Sequence, residues 1–80
     1  MGRNFYDVVG KITTAMPELK EDLDFSIGFW APEIQWFKLS EYVNDNVAPD
    51  SSDPRSIAVY AALCDVPEEN MKQDFIAKGY

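Results

Sequence analysis

Histidine is absent from this chain, which removes the usual general base, the usual zinc ligand and every Ser-His or Cys-His nucleophile pair at once. Cysteine occurs once, at Cys64, so no disulfide can close within the chain. The apolar run Tyr60-Ala61-Ala62-Leu63 ahead of it predicts a thiol packed in a core rather than a reactive one. A lone thiol suits a reducing compartment, and a cytoplasmic location is expected. The four glycines, Gly2, Gly10, Gly28 and Gly79, are all isolated, which rules out a glycine-rich phosphate loop. No apolar run has signal-peptide length or approaches the ~20 residues that cross a bilayer. Met1-Gly2 opens like a myristoylation signal, but Tyr6 stands where that signal needs Ser or Thr.

Positive charge is also scarce. Seven Lys and Arg stand against 14 Asp and Glu, for a net charge of −7, and no basic residue lies between Lys38 and Arg55. Affinity for a phosphate backbone comes mainly from Lys and Arg displacing counterions, so direct binding of nucleic acid is not expected. Anionic membrane surfaces are disfavoured for the same reason. The field instead suits a basic protein surface.

Aromatic residues are abundant. Of eleven in 80 residues, six (Phe25, Phe29, Trp30, Trp36, Phe37 and Tyr42) fall between Asp24 and Val47. A chain of this length hides only about 60–65% of the surface it exposes when unfolded. With no disulfide to staple it, tight helix packing or self-association is the expected reinforcement.

Along the chain the spacing predicts helices. Asn4 is a natural N-cap, and Phe5, Val8, Val9, Ile12 and Met16 then recur on one helical face until Pro17 closes the segment. Asp7 and Lys11 stand at i,i+4 in the favourable order. A second helix opens at Pro17 with acids in its first turns, where the helix dipole favours them. It gathers Leu19, Leu23, Ile27 and Trp30 on one face, with Glu18, Glu21 and Asp22 opposite. That wheel leaves Phe25 and Phe29 among the acids.

A break at Ala31-Pro32 separates this helix from the next. Trp36, Leu39, Val43 and Val47 make the next stripe, off which Phe37 falls. The competing arrangement alternates Phe25, Ile27 and Phe29, turns at Ala31-Pro32-Glu33 and returns as a β-hairpin over residues 25–38. Residues 44–53 read as a loop ordered by Asx and Ser side chains. Asp53-Pro54 starts a helix that is apolar all round and therefore central. The last helix is capped by Asp65, enters through Pro67, pairs Glu68 with Lys72 and Asp74 with Lys78, turns Met71, Phe75 and Ile76 inward and ends at Gly79. The expected fold is an all-α, single-domain bundle of four to five short helices, with an α+β form containing the hairpin as the alternative.

The acids offer little chemistry. Glu18, Glu21 and Asp22 share a helix face, but three acids so spaced are ordinarily solvent-facing rather than an acid–base pair. Asp45, Asp50 and Asp53 carry oxygen ligands that suit calcium, but they lack the EF-hand spacing and its glycine, and Asp50 and Asp53 serve better as turn and cap. No enzyme activity, metal or cofactor is expected.

Phe5, Tyr60 and Phe75 belong in the core. Phe25, Phe29, Phe37 and Trp30, together with Glu18, Glu21, Asp22, Asp45 and Asp50, are the candidate partner-binding residues. Carboxylates would steer a basic partner and buried rings would slow its departure. In size, charge and lack of enzyme motifs the chain resembles the small inhibitors made by phages and mobile elements, such as anti-CRISPR and anti-restriction proteins and other DNA mimics. The likeness implies occupation of a basic site on a nucleic-acid-handling protein. The alternative is a structural or accessory subunit that forms a homodimer or docks on a larger assembly through the same aromatics.

Overall fold

The computed structural model describes residues 3–80; Met1 and Gly2, and with them the myristoylation-like opening, lie outside the described residues. Asn4 sets the first helix, its side-chain oxygen accepting the backbone N–H of Tyr6 and of Asp7. This satisfies two amides that a helix start leaves without partners. Helix α1 (Phe5–Ala15) buries Phe5, Val8, Val9 and Ile12 on the predicted face. Pro17 then turns the chain through a short 3₁₀ segment, Pro17–Leu19, into α2 (Lys20–Ile27). Helices α3 (Gln35–Asn46), α4 (Pro54–Cys64) and α5 (Glu68–Ala77) complete the chain. Every regular element among the described residues is helical, as the all-α reading requires.

Helix α4 is the hub. It packs on α1, α3 and α5 and buries Ser56, Ile57, Val59, Tyr60, Ala61 and Leu63, as its all-round apolar sequence predicts. Asp53 caps it by accepting the Arg55 amide. The molecule is flattened, 34 × 30 × 18 Å along its principal axes. One continuous core runs through the helices, from Phe5 and Ile12 through Leu23, Leu39, Val43 and Val59 to Met71 and Phe75.

Local polar bonds hold the ends of the elements. The buried Ser56 hydroxyl donates to the Ala48 carbonyl and accepts the Asp50 amide, stitching the 47–53 loop to α4. Tyr60 donates to the Val47 carbonyl at 2.6 Å. Arg3 donates to the Ala62 and Leu63 carbonyls at 2.7 and 2.9 Å while lying 4.7 Å over the Trp36 ring. It thus covers two of the carbonyls that the end of α4 leaves open. At the end of α5, Gly79 adopts φ 85°, which lets the Tyr80 and Gly79 amides bond back to Phe75 and Ile76.

Several expectations need correction. No hairpin forms over 25–38: α2 ends at Ile27, residues 28–34 are turns and irregular backbone, and α3 begins at Gln35. The break is therefore wider than Ala31-Pro32. Helix α3 runs on to Asn46, so Asn44, Asp45 and Asn46 are helical rather than loop. Asp65 does not cap α5; it ends α4 in the left-handed conformation at φ 58°, and Pro67 takes the N-cap position of α5. Cys64 is exposed because it lies in the last turn of α4. Ile76 is exposed as well, since α5 seats only Met71 and Phe75. Of the three predicted i,i+4 pairs, Asp74–Lys78 forms at 3.0 Å, and Asp7–Lys11 and Glu68–Lys72 do not.

Candidate protein-docking surface

Helix α2 is anchored on one side only. Leu23 is fully buried, and Leu19, Ile27 and Trp30 pack against the core beside it, as the wheel predicts. The opposite side of the same wheel carries Phe25, with Glu21 only about 40° away. Phe25 is 70% exposed and Phe29 76%. Past Ile27 the chain keeps winding: the amides of Gly28, Phe29 and Trp30 bond to the carbonyls of Phe25, Ser26 and Ile27. These tightened turns keep Phe29 one turn above Phe25, where the two rings meet edge to face with centroids 5.2 Å apart. Such a pair in open solvent leaves both rings available to another molecule.

The acids around this pair are placed differently from one another. Asp22, exposed on the flank of α2, accepts the Tyr42 hydroxyl from α3 at 2.8 Å. Tyr42 in turn packs edge to face with Trp30. Burial, with the Asp22 carboxylate as hydrogen-bond acceptor and nearby negative charge, pushes the Tyr42 hydroxyl up to about 12. Neither Glu21 nor Asp22 makes an ion pair among the described residues, whereas Asp24, on the other flank, is held by Lys20 at 2.7 Å. Glu18 is diverted: it pairs with Arg55 at 2.7 Å and so ties the 3₁₀ segment to the start of α4. A backbone hydrogen bond first, and then Arg55, lowers the Glu18 carboxyl from its ordinary value.

The remaining candidates lie elsewhere. Phe37 is 63% exposed on the outer side of α3, about 160° around the helix from the buried Leu39. It pairs with no other ring among the described residues. Asp45 is exposed on the last turn of α3. Asp50 uses its carboxylate within its own loop, accepting the Ser52 hydroxyl and amide at 2.7 and 2.9 Å; these two bonds, the hydroxyl's first, lower its carboxyl from the ordinary value. Trp30 is half-buried against the core.

The structure therefore joins Glu21, Asp22, Phe25 and Phe29 into one surface and leaves Glu18, Trp30, Phe37, Asp45 and Asp50 outside it. Tyr42, which fixes the Asp22 carboxylate, is an addition that the sequence signals only by its place beside the Leu39–Val43 stripe. Among the described residues no three acidic or thiol side chains converge closely enough to hold a metal ion, and no helix is long and apolar enough to cross a membrane. Comparison with protein-family models, with curated proteins and with solved structures finds no match to this chain.

Proposed function

We propose that this chain is a non-enzymatic, acidic protein-binding module of the inhibitor or DNA-mimic kind, which occupies a basic site on a nucleic-acid-handling protein through the outer face of α2. The observation that carries the reading is the edge-to-face pair Phe25 and Phe29, exposed at 70% and 76%, beside the Glu21 and Asp22 carboxylates in a chain of net charge −7. Adjacent exposed rings mark interaction surfaces more than single ones do. Carboxylates at their rim select a partner rich in Lys and Arg and speed its approach, while the rings, once desolvated, set the lifetime of the complex.

The test is affinity capture from a bacterial lysate at low and high salt, run in parallel with a Phe25→Ala/Phe29→Ala variant. The expected result is a nucleic-acid-binding protein retained by the parent chain, more strongly at low salt, and lost with the double variant. Recovery of no such protein under either condition would overturn the proposal.

A further inference from the structure

The outer side of α3 is a second exposed apolar face with a charge pattern of its own. Ile34, at the N-cap, is 42% exposed and Phe37, one turn on, 63%. The N-terminal half of this face thus carries the apolar groups and Lys38. Its C-terminal half carries the exposed acids Glu41 and Asp45. Lys38 is only loosely held within its own helix, at 3.7 Å from Glu41, with both side chains about half exposed.

From this polarity we infer that the outer face of α3 is a self-association seam, on which a second copy of this chain packs with its own α3 antiparallel. A two-fold axis between Lys38 and Glu41 brings the two Phe37 rings together near the axis. It also sets each Lys38 against Glu41 and Asp45 of the other copy. The α2 face lacks this polarity: its Lys20 is bonded to Asp24 within the helix at 2.7 Å, and Glu21 and Asp22 make no ion pair among the described residues. The seam uses none of Glu21, Asp22, Phe25 and Phe29, so its test is separate from that of the docking surface proposed above.

Helix α3 has 12 residues, about 18 Å of length. The contact is therefore at the small end of specific interfaces, with an expected Kd on the order of 10–100 µM. The net charge of −7 on each copy opposes association, but this repulsion fades beyond about 8 Å at 0.15 M salt.

Sedimentation equilibrium of the full chain at 0.15 M salt tests the inference. The parent chain should show a monomer–dimer equilibrium in that range, Phe37→Ala should weaken it at least about tenfold and Phe25→Ala should leave it unchanged. Lys38→Glu and Glu41→Lys should each be monomeric alone, since each sets like charges together, yet an equimolar mixture of the two should associate. That rescue cannot come from effects on folding or within one helix. A parent chain still monomeric at about 1 mM, ten or more times the expected Kd, would overturn the proposal. So would a dimer that survives Phe37→Ala, or a mixture that stays monomeric.

Discussion

Replacing Tyr42 by Phe removes one oxygen and isolates the bond that joins α3 to the acidic flank of α2. Tyr42 is 9% exposed and its hydroxyl donates to Asp22 at 2.8 Å, so the ring's packing survives the substitution and only the polar contact is lost. Hydrogen bonds to charged groups contribute about 1.5–3 kcal/mol, but Asp22 is exposed and water replaces the lost donor, so about 1 kcal/mol is expected at neutral pH.

The pH dependence is the sharper test. The hydroxyl titrates near 12 in the folded chain against 10 for a free tyrosine. Below pH 10 both states are neutral and the stabilisation is fully present. As pH rises from 10 to 12 the unfolded chain ionises first and the stabilisation is lost. At about 1.4 kcal/mol per pKa unit, the parent should lose about 2 kcal/mol relative to Tyr42→Phe by about pH 11.5. Tyr60, also raised by burial and then by the nearby Cys64, titrates alike in both proteins and cancels in the difference. Urea unfolding of the two chains at pH 8 and at about pH 11.5, followed by circular dichroism, gives that difference directly. A gap between parent and variant equal at both pH values would refute the assignment of a buried, carboxylate-bonded hydroxyl.

Other perturbations separate the parts of the fold. Arg3→Ala removes two bonds to the end of α4 and the stacking on Trp36; about 2 kcal/mol and a Tm lower by roughly 8–16 °C are expected by thermal denaturation. Arg3→Lys should recover less than half of the loss, because an ammonium cannot span both carbonyls and stack. Gly10→Ala should raise Tm by about 3–6 °C, since the site is helical and exposed and an added methyl meets nothing within 4 Å. Leu23→Ala should cost about 2–5 kcal/mol in urea unfolding, whereas Phe25→Ala/Phe29→Ala should cost less than about 1 kcal/mol, the worth of an exposed ring pair. Equal losses in those two variants would make the rings structural and remove the docking surface.

The parts of the fold legible in the sequence are those where periodicity decides. The stripes Phe5-Val8-Val9-Ile12 and Leu39-Val43-Val47 are buried as read, with Trp36, the first residue of the second stripe, only partly buried, and the apolar Ile57–Leu63 run is central, because burial of a helix face follows its spacing. The failures fall at helix ends, where the choice among partners is tertiary. Asp65 reads equally as a cap for α5 or as a residue that tolerates left-handed backbone; the α4 carbonyls took it for the second role. Cys64 and Ile76 are apolar by type, but each lies past the point where a neighbouring helix covers it. The outward rings were legible because Phe25, Phe29 and Phe37 each fall off their stripe on the wheel. The dispersal of the acids was not, since Arg55 is 37 residues from Glu18 in sequence and no local pattern announces that pair.

These two kinds of observation bear jointly on the docking proposal. Burying a Phe side chain is worth about 1.5–3 kcal/mol, so a small domain with a limited core gains much from each ring it encloses. Here α2 encloses Leu23 alone while both phenylalanines of this segment, Phe25 and Phe29, stand in solvent. At those two positions a polar residue would serve folding as well and solubility better. The side that seats Leu19, Leu23 and Ile27 already contents the bundle. Two rings meeting edge to face on the other side, beside the Glu21 and Asp22 carboxylates that make no ion pair among the described residues, are then features that stability does not require and that a complementary basic, apolar surface would use.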